Sequence, residues 1–219
     1  MRRQAIIKFR LRPYDALHKS MTKSYTIYTL HAQIRDIEPP VWRRIHVDGN
    51  ITLRKLHHIL QAAFGWADSH LHDFEIDGRT YAMGDNDNML DLFAEDPEMV
   101  DDRKARLYRI AYPGHRFLYR YDFGDDWHHD IHVEEVTQTD HEPHSEAWIG
   151  AGERACPPED VGGTYGYAEM LRVLSLEPDS DEAKRYRTWA GDDFDADLFD
   201  RRAANSTLLR MAWNNWGKK

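Results

Sequence analysis

From residue 25 to residue 136 the apolar side chains recur mostly with a period of two, and beyond residue 164 they recur with a helical period. That switch constrains the chain more than any single motif does. A strand buries alternate residues, whereas a helix buries a stripe. Tyr28, Leu30, Ala32 and Ile34 alternate with more polar neighbours, and Pro39-Pro40 ends that run. Residues 41–47 read as a second strand, closed by a turn at Asp48-Gly49-Asn50. Thr52 then stands as an N-cap before a stripe of Leu53, Leu56, Leu60, Ala63 and Phe64, with Gly65 as the C-cap. Residues 70–76 and 79–83 flank Asp77-Gly78 as a hairpin. Residues 106–111, 115–123 and 128–136 read as three further strands.

Two stretches lack a period. The acidic segment 84–104 reads as a loop with a short helix near Leu90. The segment 137–163, rich in Pro, Gly and Glu, reads as a long irregular connection. Thr164 is in position to cap a helix presenting Tyr167, Ala168, Leu171 and Leu174, and helices near 181–190 and 197–213 follow. Strands first and helices last, with one helix after the second strand, predict an α+β fold. We expect a largely antiparallel sheet with helices packed on one side and a C-terminal third that is mostly helical.

Charge divides the chain. Residues 1–24 carry a net +6, which leaves −15 on the rest of a chain whose total is −9. Residues 1–24 are therefore read as a basic N-terminal extension, with Met21 as a second candidate start, and residues 25–219 as a single domain. An acidic body opposes non-specific phosphate binding, because that affinity comes from Lys and Arg displacing counterions. A protein partner is thus favoured over nucleic acid. No apolar run approaches the roughly 20 residues of a membrane span, and the N-terminus lacks a secretory apolar core. The expected compartment is the cytoplasm, with no membrane partner. Cys156 is the sole cysteine, which excludes an intrachain disulfide and a cysteine-based zinc site.

Five ordered blocks then stand out. They are Pro39-Pro40-Val41-Trp42-Arg43-Arg44-Ile45, Leu56-His57 with Ala63-Phe64-Gly65-Trp66, and His70-Leu71-His72-Asp73-Phe74. The fourth is Tyr119-Arg120-Tyr121-Asp122-Phe123-Gly124-Asp125-Asp126-Trp127 with His129. The fifth is Pro157-Pro158-Glu159-Asp160-Val161-Gly162-Gly163 with Gly166-Tyr167. Together, over roughly residues 25–200, they resemble the plasmid pRiA4b ORF-3-like family. Several ordered motifs are far more specific than one. The resemblance implies an uncharacterised plasmid- or mobile-element-associated protein, some relatives being labelled accessory proteins of insertion elements. It implies no biochemical activity. Many relatives carry Cys where this chain has Val161, so a role resting on that thiol is absent here.

The polar residues of these blocks admit two readings. On strand 127–134, Trp127, His129, Ile131 and Val133 share the apolar face. His70, His72, Phe74 and Ile76 share another, and His57 borders the helix stripe. His57, His70 and His129 would then meet in one pocket, with Asp122 or Asp125 orienting a ring or sharing a divalent metal. The metal candidates are His57, His70, Asp125 and His129. The catalytic candidates are His129, Asp122, Glu159 and Asp160. The structural reading gives each histidine a hydrogen bond and a space to fill.

Other motifs carry less. Asp122-Phe123-Gly124 matches a kinase triplet without the loops that accompany it, and reads as a tight turn with Gly124 as the permissive residue. Glu159 and Asp160 suit acid/base work, and equally suit capping of the helix near Thr164. Asp85-Asn86-Asp87-Asn88 fails as a calcium loop at Met89 and Leu90. Residues 192–200 read as an amphipathic helix start. Trp42, Arg43 and Arg44 are the nucleic-acid candidates, a stacking platform with charge. The plainer reading makes Trp42 a core anchor and pairs Arg43 with a carboxylate.

Three functions follow. The first is a non-enzymatic interaction module with an aromatic-lined surface. The second is a metal-dependent hydrolase or nuclease-like enzyme using the His/Asp pocket. The third is a nucleic-acid-binding accessory protein.

Overall fold

The longest pairing in the fold joins β1 (Tyr25–Ile34) to β7 (Trp127–Thr139), antiparallel along the whole length of β1 with a bulge between Thr29 and Leu30. The computed structural model describes residues 23–83 and 99–214. The expectations for a helix near Leu90, for Asp85-Asn86-Asp87-Asn88 and for residues 1–22 of the basic extension lie outside those residues. β2 (Trp42–Asp48) pairs with β1, and β8 (Ala147–Glu153) pairs with β2. On the other flank β6 (Arg116–Tyr121) joins β7 to β3 (His72–Ile76), which forms the hairpin with β4 (Arg79–Ala82). β5 (Val100–Asp101) pairs parallel with β4, the one parallel contact among the described residues. Among the described residues the sheet has eight strands in the order β5-β4-β3-β6-β7-β1-β2-β8. The fold is α+β and mostly antiparallel.

Helix α1 (Leu53–Phe64) has the expected ends. The Thr52 hydroxyl accepts from the Lys55 amide, and Gly65 adopts φ 95°, a left-handed cap that costs glycine little. Leu53, Leu56, Ile59 and Leu60 are fully buried, each contributing roughly 2 kcal/mol over exposure. The inward side chains of the sheet form one apolar cluster with them: Leu30, Ala32, Ile45, Phe74, Tyr119, Ile131 and Val133. α3 (Gly163–Leu176) adds Tyr167 and Met170 to that cluster, and α5 (Arg201–Trp213) adds Leu208 and Met211. α4 (Asp181–Ala190) packs on α3. α5 also guards the β8 edge, where the Asn205 side chain bonds both the Ile149 N–H and its C=O.

Four expectations fail for physical reasons. Residues 106–111 are not a strand; Leu107–Ile110 is a one-turn helix, α2. The Leu107 and Tyr108 amides donate to Ile51 and Gly49 carbonyls, so the segment lies across the turn before α1 with Leu107 as its buried plug. Residues 137–163 are not irregular throughout. β7 runs on to Thr139, and in β8 Ala147 and Ile149 point inward while Trp148 points out. Thr164 caps nothing: Gly162 is the N-cap of α3, without a side-chain bond. Residues 192–200 precede α5, whose N-cap Asp200 accepts from the Arg202 and Ala203 amides. The C-terminal third therefore holds three helices, with β8 at its start.

Candidate metal centre

The loop after α1 is fastened at almost every residue. The Trp66 indole donates to the Pro157 carbonyl, and the Ala67 amide to Glu159 Oε1 at 2.8 Å. The Asp68 amide donates to Gln61, and the Ser69 amide to the Tyr121 hydroxyl. Asp68 sits at φ 58°, a turn that sends its side chain and that of His70 into different surroundings. The β3 strand begins only at His72, so His70 does not share the buried face of His72, Phe74 and Ile76.

His70 faces three carboxylates. Its Nε2 lies 3.2 Å from Asp160 Oδ1, 3.7 Å from Asp122 Oδ2 and 3.7 Å from Glu159 Oε2. That nitrogen is shut off from solvent, yet no hydrogen bond to it is aligned among the described residues. The carboxylates come from separate turns. Asp122, at φ 55°, uses Oδ1 to accept from the Gly124 and Asp125 amides, which closes the tight turn between β6 and β7. Asp122 and Asp126 take the positive φ there, rather than Gly124. Glu159 accepts from Ala67 and from the Tyr121 hydroxyl, and Asp160 stands at φ 55° with its side chain 68% exposed. Neither caps α3. The backbone in this corner is tight: a Cβ on Gly166 would lie 1.9 Å from the Val161 carbonyl, and one on Gly163 2.5 Å from that of Asp125. The His70, Asp122 and Asp160 ligand atoms lie within 4.8 Å of one another. Carboxylates this close repel one another, by no more than about 1 kcal/mol where water reaches Asp160.

A second cluster lies on the other side of the same loop. His57 Nε2 meets Asp68 Oδ1 at 2.6 Å, and its Nδ1 meets the Tyr119 hydroxyl at 2.8 Å. The Tyr119 oxygen also accepts from Gln61, so its proton goes to Nδ1 and the His57 N–H points to Asp68. Burial holds the His57 pKa down at about 3 and keeps the ring neutral. The His57 ring stacks on His72 at 3.4 Å; His72 bonds Asp102, which also accepts from Arg54. Burial lowers the His72 pKa as well. His58 approaches the second Asp68 oxygen at 3.0 Å, beside a cavity of about 260 Å³ between α1 and α5.

The pocket of His57, His70 and His129 is therefore not assembled. Among the described residues, no group of potential ligand atoms joins any two of them. His129 is fully buried among Phe64, Trp66 and Tyr119, without a side-chain hydrogen bond, and burial lowers its pKa to about 3. Asp125 is a brace: its carboxylate accepts from the Gly162 amide. Asp68, His72, Asp102 and Tyr119 went unread in the sequence as cluster members. Their one signal was the density of His and Asp around the 66–73 block.

The nucleic-acid candidates separate by the pleat of β2. Arg43 points inward, fully buried, and donates to the carbonyls of Ala63, Trp42 and Glu153 rather than to a carboxylate. It lies over the Phe199 ring at 3.7 Å, and burial lowers its pKa to about 10. Trp42 points outward and is not a core anchor. It stacks on His31, and Trp148 stacks on His46. Arg44 pairs with Glu134, Arg35 with Asp130 and Arg120 with Asp73 on the same outer face.

A family model described as plasmid pRiA4b ORF-3-like protein matches residues 26–203. The uncharacterized protein y4hQ of Sinorhizobium fredii is 30% identical over 200 residues, covering 89% of this chain and 96% of that protein. The crystal structure of MM3350, a protein of unknown function from Methanosarcina mazei Go1, matches with a TM-score of 0.69 and 33% identity. It covers 81% of this chain and 97% of that one.

Proposed function

The chain belongs to the plasmid pRiA4b ORF-3-like family, and on that premise we propose that it is a non-enzymatic interaction module that docks a protein on the outer face of its sheet. The family brings no activity with it, since the relatives named above are uncharacterised or of unknown function. The carrying observation is the outer face itself, where the Trp42–His31 and Trp148–His46 stacks stand among arginines. Tryptophan and arginine are the residues that most often dominate protein interfaces. The Arg35, Arg44 and Arg120 guanidiniums already meet carboxylates. Such a face offers phosphate little and favours a protein with mixed charges around an apolar ridge. In this reading residues 25–219 act as one domain in the cytoplasm and residues 1–24 as an appended basic segment. No helix among the described residues is long and apolar enough to cross a membrane.

The test places a photo-reactive phenylalanine analogue at position 148, with position 189 on α4 as control, in cells of the source organism. The expected product is one discrete protein adduct from position 148, lost on Trp42→Ala and absent from position 189. A DNA or RNA adduct would favour the accessory-protein alternative. No adduct from 148, or the same adducts from both positions, would remove the docking face.

A further inference from the structure

Independently of the docking face, we propose that His70, Asp122 and Asp160, with Glu159 as a fourth donor, bind one divalent first-row transition ion, for which zinc is the natural probe. Around an ion with bonds of about 2.1 Å, neighbouring ligand atoms lie about 3–4 Å apart. The three contacts of His70 Nε2, at 3.2, 3.7 and 3.7 Å, fall in that range before any side chain moves.

Three further observations point the same way. His70 Nε2 is sealed from solvent and unbonded although three acceptors surround it, an arrangement that an ion at their centre would complete. The donors are held from behind, as metal ligands usually are: two amides on Asp122, an amide and the Tyr121 hydroxyl on Glu159. Exposed Asp160 leaves a path for the ion and room for water on one side, while the other side rests on buried Asp122. One imidazole with carboxylates and no thiolate suits zinc, manganese or iron(II) better than copper(I), and the nitrogen disfavours calcium and magnesium. The neighbouring His57 has both ring nitrogens engaged, so an ion there would have to break existing bonds.

The experiment is titration of the metal-free full chain with zinc chloride by calorimetry, backed by metal analysis after dialysis. The wild-type chain should take up one zinc with micromolar or tighter affinity. Asp160→Asn should weaken it at least tenfold, and His70→Ala at least a hundredfold. Asp160 is exposed, so its variant keeps the fold and carries the test should His70→Ala disturb the loop. His58→Ala, in the second cluster, should stay within about twofold. The assignment falls if no saturable binding occurs below about 1 mM. It falls equally if Asp160→Asn binds as the wild type does, or if affinity follows His58→Ala instead.

Discussion

Asp68 and His70 are two residues apart on one loop, yet they enter clusters of opposite character. Around Asp68, histidines and carboxylates close on one another: His57, Tyr119 and Gln61 form one hydrogen-bonded set, His72, Asp102 and Arg54 a second, and the His57–His72 stack joins the two inside the core. Around His70 the same residue types meet, but three carboxylates crowd one nitrogen and, among the described residues, no bond to it is aligned. Residue type alone therefore cannot separate a structural cluster from a ligand site. What separates them is the ring nitrogens that face the carboxylates: His57 Nδ1 and Nε2 and His72 Nε2 are bonded, whereas His70 Nε2 is not, and a buried nitrogen without a partner costs free energy that a ligand, ion or water can return.

The largest expected effect tests the closed cluster. Asp102 is fully buried and accepts from both His72 and Arg54. Asp102→Ala strands a guanidinium and an imidazole, and removing one partner of such a pair costs about 3–5 kcal/mol. Urea denaturation should show that loss as a lower midpoint. A change under about 1 kcal/mol would mean that the cluster does not hold the core together, and the contrast between the two sides of the loop would collapse.

Acid tests the same contrast at intermediate size. Burial depresses the His57 and His129 pKa values to about 3 and lowers that of His72. In the unfolded chain each ring titrates near 6.5. Between about pH 6.5 and 3 the unfolded state therefore binds more protons, so stability is full above about 6.5 and is lost as the pH falls. His57 and His129 each add a slope of about 1.4 kcal/mol per pH unit in that window, and His72 adds in the same direction. His129→Phe, which keeps an aromatic ring among Phe64, Trp66 and Tyr119, should remove about one proton from the slope between pH 6 and 4. An unchanged slope in denaturation series at those pH values would show that His129 is already charged in the folded state.

Much of this arrangement was readable beforehand, and the rest was hidden for identifiable reasons. Alternation placed His129 and Trp127 on the core face, and Thr52 and Gly65 marked the ends of α1, because local periodicity and caps depend on neighbours in sequence. The partners of His70 come from turns about 50 and 90 residues away, and no local pattern encodes their convergence. Extrapolating the β3 alternation back to His70 failed because the strand starts two residues later, at the fastened loop. Reading Trp42 as a core anchor and pairing Arg43 with a carboxylate failed by one step of the pleat. A tryptophan looks buried by composition, but the register with Ala32 and Gly152 turns Arg43 inward, and Phe199 covers it. The strand β8 was masked by its glycines, of which Gly150 lies at the bulge opposite Arg44 and Ile45.

The smallest effect carries the sharpest distinction. Asp160→Asn removes one of three charges that repel one another around His70, at a largely exposed position. In the metal-free protein it should change stability by no more than about 0.5 kcal/mol, and toward greater stability, opposite in sign to Asp102→Ala. With zinc at a hundredfold excess over its dissociation constant, the wild type should gain about 2.7 kcal/mol, and the variant no more than about 1.4 kcal/mol. Thermal unfolding with and without zinc measures both. Should Asp160→Asn instead destabilise the metal-free chain by more than about 1 kcal/mol, Asp160 would be a structural partner of His70. The open cluster would then be a second closed one, satisfied by an ion pair rather than by an ion.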